Sequence, residues 1–158
     1  MVQFAIINYH NYTFMITDSP TKETLPLYLE LYREYNVTTI VRLCTPLYDP
    51  LLLNENGIVH VDLPFEDGSV PELSIFEQWR SLVSQHKNRV LSVHCLSGLG
   101  RAPLMVGDSL IRAGMDKIDA IELLRSKRNG ALNSRQFQYL MSIHPPSWFS
   151  CLYGYGSF

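Results

Sequence analysis

The sequence predicts an α/β fold with a central, mainly parallel sheet flanked by helices. Short β-branched runs alternate with segments whose apolar residues recur at helical spacing. One such run enters a glycine-rich loop that is followed at once by a further helical segment. No internal repeat, low-complexity tract or linker divides the 158 residues. The whole chain, 1–158, is therefore expected to form one domain, with an aromatic tail over about 147–158.

Each element has its own signal. Strand candidates open the chain at Gln3–Asn8 and Tyr12–Thr17, with a polar break at Tyr9–Asn11. Asp18-Ser19-Pro20-Thr21 is a turn or helix entry. Leu25, Leu29 and Tyr32 then recur at helical spacing up to Tyr35. Val37–Leu43 is short and β-rich, as a buried strand is. Pro46 to Asn56 reads as an irregular connection, and Ile58–Leu63 as another strand. Pro64 to Pro71 is a loop that combines two prolines, a glycine and two adjacent acids. Ile75, Trp79 and Val83 are spaced for a helix ending near His86–Asn88. Arg89–His94 is a strand running into the loop Cys95–Gly100. Pro103 falls where a first-turn proline is tolerated, and the helix continues over Leu104 to Ala113, closed by Gly114. Asp116–Arg128 is a helix with Asp116 as its N-cap. Asn133 opens the last helix, with the apolar stripe Phe137, Leu140 and Met141, and Pro145-Pro146 stops it.

Composition narrows the function. With 46% apolar and 18% charged residues, the chain can bury a real core and does not look disordered. A net charge of −2 argues against a broad nucleic-acid-binding surface, so any anion site must be local. The three cysteines, Cys44, Cys95 and Cys151, are too few and too widely spaced for a disulfide framework or a zinc knuckle. No metal or cofactor is expected, and the cysteine usage suggests a reducing compartment. The N-terminal MVQFAII lacks a signal-peptide pattern, no uncharged run approaches a membrane span, and the C-terminal YGYGSF carries no prenylation motif. These signs predict a soluble, cytoplasmic protein.

The chemistry centres on Cys95. A cysteine, five residues (Leu96, Ser97, Gly98, Leu99, Gly100) and Arg101, set between a strand and a helix, make an anion cradle. Backbone N–H groups of the wrapped loop point inward, and the helix beginning near Ala102 adds its positive end. Gly98 and Gly100 permit the backbone angles that wrapping requires. The same field stabilises a thiolate, which is the nucleophile. Arg101 can grip two phosphate oxygens with its fork. Attack gives a cysteinyl-phosphate that water then hydrolyses. The leaving oxygen needs a proton; Asp67 in the acidic loop is the candidate donor, with Glu66 as the neighbouring alternative. Read alone, Asp67 is equally well a solvated acid capping a turn. His94 is expected to hold the loop by hydrogen bonding rather than to act as acid or base.

The loop matches the active-site motif of protein tyrosine and dual-specificity phosphatases. The segment from His94-Cys95 through Arg101-Ala102-Pro103, together with Lys127-Arg128-Asn129-Gly130-Ala131-Leu132-Asn133-Ser134-Arg135-Gln136, resembles the phosphatase of regenerating liver family. Val37–Cys44 and Leu63-Pro64-Phe65-Glu66-Asp67-Gly68 carry the same likeness, which runs from about Tyr12 to about Pro145. The resemblance implies the cysteine-dependent phosphatase fold, Cys95 as nucleophile, Arg101 as phosphate ligand and Asp67 as general acid. Ala102 stands where most related phosphatases carry a Ser or Thr that helps the sulfur depart, which implies a long-lived phosphocysteine and slow turnover. Gln136 aligns with a family glutamine near the site that positions water; from sequence alone it is equally an exposed helix residue. Cys44 aligns with a cysteine that forms a reversible disulfide with the catalytic one, although by itself it reads as a small buried hydrophobe at a strand end. Cys151 matches nothing in the pattern.

Two departures stand out. The tail from Trp148 to Phe158 has neither the family's polybasic stretch nor its prenylated cysteine, so no lipid anchor is expected. Glu66 replaces the usual second aspartate in the surface by which the family binds CNNM-type magnesium transporters, with the negative charge kept. The leading expectation is an enzyme acting on phosphotyrosine in phosphoproteins, with phosphoserine and phosphothreonine also open. The alternative is a binding module for such a transporter, regulated by phosphorylation or oxidation of Cys95 and peripheral to membranes through its partner. Homo-oligomerisation is a weaker third expectation.

Overall fold

The computed structural model describes residues 1–144. The aromatic tail, the Pro145-Pro146 stop and Cys151 lie outside the described residues. The chain opens with a hairpin: β1 (Phe4–Tyr9) and β2 (Tyr12–Thr17) pair antiparallel, with Tyr9 opposite Tyr12 across the two-residue turn His10-Asn11. The elements that follow are α1 (Leu25–Glu34), β3 (Val37–Arg42), α2 (Leu51–Glu55), β4 (Val59–Asp62), α3 (Leu73–Gln85), β5 (Val90–His94), α4 (Arg101–Arg112), α5 (Lys117–Lys127) and α6 (Ser134–Ser142). The strands form one sheet in the order β1-β2-β5-β3-β4, in which every pairing except the hairpin is parallel.

Strand alternation builds a core on each face of the sheet. Phe14, Ile16, Val41, Leu91 and Val93 face the layer that contains Trp79 of α3, Leu104 of α4, Leu124 of α5 and Leu140 of α6. Met15, Val37 and Ile40 face Leu29 and Tyr32 of α1 and Leu53 of α2. Each fully buried side chain of this size is worth about 1.5–3 kcal/mol. Residues 101–111 of α4 are all buried, which makes it the central helix. Close approach of its neighbours is possible because Gly107 has no side chain; a Cβ there would lie 2.8 Å from Leu140 Cδ1.

The boundaries follow the sequence expectation, with one correction. The connection from Pro46 to Asn56 is not wholly irregular, because Leu51–Glu55 is the helix α2. Its turn is started by Asp49, whose carboxylate accepts the Leu51 N–H at 2.9 Å, and it is pinned by the fully buried Leu53. Five residues are too short for apolar periodicity to register. Among the described residues, two helix starts carry side-chain caps, the one expected at Asp116 and one at Asn133. Asp116 accepts the N–H groups of Ile118 and Asp119. Asn133 and Gln136 form a reciprocal capping box at α6.

Candidate active site

The loop between β5 and α4 is held from behind. The Cys95 carbonyl lies 3.1 Å from His94 Nδ1. The Leu96 carbonyl accepts from Ser19 N at 2.9 Å, and the Leu99 carbonyl from Leu132 N at 2.8 Å. Buried Arg128 donates through Nη2 to the Ser97 carbonyl at 2.6 Å and through Nε to the Gly98 carbonyl at 3.3 Å. The Gly100 carbonyl begins the α4 ladder at Leu104 N. Six successive carbonyls are thus occupied on the outside, which turns the intervening N–H groups toward the hollow the loop encloses. Gly98 is needed for this path. It adopts φ 70°, and a Cβ there would stand 2.7 Å from both the Thr17 carbonyl oxygen and Arg128 Nη2.

Arg101 begins α4 and is buried. Its Nη1 donates to the Leu43 carbonyl at 3.3 Å and the Phe65 carbonyl at 3.1 Å, fixing the guanidinium between the end of β3 and the acidic loop. Its Nε is buried with no hydrogen-bond partner among the described residues. Asp67 Oδ1 lies 3.4 Å from that nitrogen, close enough for charge attraction but out of hydrogen-bond alignment. A buried guanidinium N–H without an acceptor is costly, and an arriving anion relieves it. Asp67 itself is 75% exposed, caps Gly68 N at 3.0 Å and lies at the rim of a cavity of about 600 Å³. Cys44, Phe65, Glu66, Leu96 and Arg101 also line that cavity.

The comparisons agree with this geometry. The Tc-R-P family, described as a polymorphic toxin system DSP-PTPase phosphatase, matches residues 15–115. The chain is 42% identical over 143 residues to human protein tyrosine phosphatase type IVA 3, covering 88% of this chain and 83% of that protein. It is 37% identical over 145 residues to the PRL-1 phosphatase of Drosophila melanogaster, covering 89% and 82% respectively. The chain belongs to the protein tyrosine phosphatase type IVA family. A solved protein tyrosine phosphatase from Leishmania major superposes with a TM-score of 0.81 at 30% identity, covering 89% of this chain and 98% of that one. The cysteine-dependent phosphatase fold and a PRL-like phosphatase function come with the membership.

The remaining residues of this type IVA phosphatase fall into two groups. Next to Cys95, His94 is fully buried, and desolvation pushes its imidazole down to about 4, so it is neutral near pH 7. With Nδ1–H donated to the Cys95 carbonyl, Nε2 accepts the Tyr48 hydroxyl at 2.7 Å, and His60 Nε2 approaches the same hydroxyl at 3.1 Å. His94 thus hydrogen-bonds the loop backbone at Cys95 and the hydroxyl of Tyr48. Cys44 is buried, with its sulfur 3.9 Å from Ser19 Oγ and 4.0 Å from His94 Nδ1. Burial pushes the Cys44 thiol up; the Ser19 hydroxyl and Arg101 oppose that shift, and neighbouring Cys95 adds to it. Both thiols are free. Ala102 is fully buried behind the loop.

The second group holds the acidic loop. Gln136 is not an exposed helix residue but fully buried. Its Oε1 accepts Asn133 N at 3.1 Å, and its Nε2 donates to the Ser69 carbonyl at 3.3 Å. Asn133 Nδ2 donates to the Gly68 carbonyl at 2.9 Å. The start of α6 thus grips the loop that carries Glu66 and Asp67. Gln136 also abuts the phosphate loop, since a Cβ on Gly100 would lie 3.3 Å from its Nε2. Sequence reasoning missed Ser19, Tyr48, Arg128 and Leu132 as site residues. Arg128 was visible in the motif, but its acceptors are backbone carbonyls about thirty residues upstream, which leave no compositional trace. No helix among the described residues is long and apolar enough to cross a membrane.

Proposed function

We propose that the chain is a protein tyrosine phosphatase that works through a cysteinyl-phosphate on Cys95. The observation that carries this reading is the loop with its carbonyls bonded outward, facing an Arg101 whose buried Nε has no hydrogen-bond partner among the described residues. The substrate phosphate enters the cradle, and Arg101 takes its oxygens. The Cys95 thiolate attacks phosphorus as the phosphorus–oxygen ester bond breaks, and Asp67 gives a proton to the departing oxygen. Asp67, now a carboxylate, takes a proton from water as the water oxygen bonds to phosphorus and the sulfur leaves as thiolate. Inorganic phosphate is the product. Gln136, anchored beside Gly100, helps place that water with its second amide hydrogen.

Ala102 offers no hydroxyl to the departing sulfur, so the second step is slow. The cavity is broad and open at Asp67, which suits phosphotyrosine in a phosphoprotein and tolerates the shorter phosphoserine and phosphothreonine. Cys44, which lines that cavity, is the partner for a reversible disulfide with Cys95: a peroxide oxidant takes two electrons and two protons from the two thiols as the S–S bond forms, and the thiol reductants of a cytoplasmic setting return them. One observation also favours a binding role. Exposed Glu66 lines the cavity rim, and a cradle built for phosphate also accepts an inserted carboxylate, as a CNNM-type transporter partner would supply.

Leaving-group dependence tests the enzyme reading. Cys95→Ser is expected to abolish turnover of every phosphate ester. Asp67→Asn is expected to slow phosphotyrosine peptides by 10²-fold or more, as roughly expected for a general acid, while sparing aryl phosphates with acidic leaving groups. Turnover retained in Cys95→Ser would overturn the proposal.

A further inference from the structure

The cavity at Arg101 continues past one wall. Leu47 is shared with a second groove of about 480 Å³, whose sides are formed by Lys22, Asp49, Leu51, Leu52 and Glu55. The two hollows meet where Lys22 N donates to the Leu47 carbonyl at 3.1 Å. Leu51 and Glu55 are one turn apart and share a face of α2.

Two features distinguish this groove from ordinary surface. Of the eight large apolar side chains exposed among the described residues, three (Leu47, Leu51 and Leu96) line this one trough. Single exposed leucines need no explanation, but a run of them leading out of a catalytic cavity does. The groove also carries two exposed carboxylates, Asp49 and Glu55, against one lysine, and none of the three is in an ion pair among the described residues. Exposed Glu66 adds a further negative charge on the wall of the first cavity. A polyanionic lipid headgroup or a second phosphate would be repelled here. An extended polypeptide with apolar and cationic side chains would be attracted.

We infer that this groove is a specificity subsite for the segment flanking the phosphorylated residue: an apolar side chain rests on Leu47 and Leu51, and a lysine or arginine beyond it faces Asp49 and Glu55. The inference rests on the phosphatase reading above. It makes α2 the element that selects among phosphoproteins, while the phosphate loop does the chemistry.

The test uses phosphotyrosine peptides with Leu or Asp, and Lys or Glu, placed within about four residues of the phosphate on either side, a reach set by the extended chain. Two readouts are taken: phosphoenzyme formation by the wild type with a small aryl phosphate, and peptide affinity for the Cys95→Ser protein. Peptides with Leu and Lys are expected to bind about three- to tenfold tighter than those with Asp and Glu, as rim ion pairs and partial apolar burial allow. The double variant Asp49→Asn, Glu55→Lys keeps the oxygen that accepts Leu51 N and is expected to reverse the Lys-over-Glu preference. Leu51→Asp is expected to remove the Leu preference. Both variants should leave aryl phosphate kinetics unchanged. Affinities that ignore flanking charge, or a preference that survives both variants, would overturn the subsite while leaving the phosphatase reading intact. A wild type that forms no phosphoenzyme even with the aryl phosphate would overturn that reading, and the subsite with it.

Discussion

Arg128→Ala removes the clamp behind the phosphate loop without touching the cavity. Arg128 supplies the two donors that hold the Ser97 and Gly98 carbonyls outward, at 2.6 and 3.3 Å. A hydrogen bond from a charged donor is worth about 1.5–3 kcal/mol, and the longer of these two belongs at the low end or below it. Loss of both leaves the buried Gly98 carbonyl and the part-buried Ser97 carbonyl without a donor and frees the loop to turn its N–H groups away. A combined effect of about 3 kcal/mol on the ordered loop follows. Transition-state binding must then restore that order, so kcat/KM for an aryl phosphate should fall about 10²-fold, at about 1.4 kcal/mol per factor of ten. Affinity for inorganic phosphate should fall in parallel. Arg128→Lys keeps a single cationic donor and should recover part of both. The assay is steady-state hydrolysis with phosphate affinity measured on the same samples, and circular dichroism to verify folding. A folded Arg128→Ala protein with kcat/KM within about twofold of wild type would refute the clamp reasoning, since two lost charged hydrogen bonds cannot leave so small a trace.

Three further outcomes follow from the same geometry. Asp108 is fully buried and accepts from Arg80 Nε and Nη2, Arg112 Nε and Tyr139 OH at 2.8–3.0 Å; Asp108→Ala removes the shared acceptor of two partly exposed guanidiniums and should cost about 1–3 kcal/mol in urea unfolding while leaving kcat/KM of the folded fraction near wild type. Because burial pushes the His94 imidazole from 6.5 down to about 4, the unfolded chain takes a proton that the folded one refuses. Stability from this group is thus full above about pH 6.5, falls by about 1.4 kcal/mol per pH unit below it and levels off near pH 4, with His60, also lowered by burial, acting in the same direction; urea midpoints that stay level between about pH 7 and about pH 5 would contradict the sign. Ala102→Ser places a hydroxyl beside the departing sulfur and should raise steady-state turnover several-fold, while lowering the phosphoenzyme that accumulates, as followed by rapid mixing.

The parts of the fold that carry strong periodicity were legible in the sequence. β2, β3 and β5 are buried on both faces because helices cover both, and they read as short runs rich in β-branched and apolar residues. The Cys95–Arg101 loop was legible because two glycines and a strand–helix junction leave few other uses for that spacing. The helix α2 was not, because one and a half turns give no period and its Asp49 start resembles any turn. Nor was the back of the site. Ser19, Arg128 and Leu132 act on backbone carbonyls, which every residue has, and Leu132 reaches its place at φ 68° with no glycine to announce it. Gln136 shows the same limit from the other side: its alignment pointed to the site, but only the fold revealed that its amide is largely committed to Asn133 and Ser69.

The account stands on Cys95 becoming covalently phosphorylated. The direct measurement is to mix reduced protein with an aryl phosphate on a rapid timescale, follow release of the aryl alcohol, and map the trapped phosphate by mass spectrometry. The account predicts a burst of about one equivalent, as a covalent intermediate requires, with phosphate on Cys95 and slow release afterwards. Hydrolysis without a burst and with no phosphate on Cys95, or phosphate found on another residue, would contradict it.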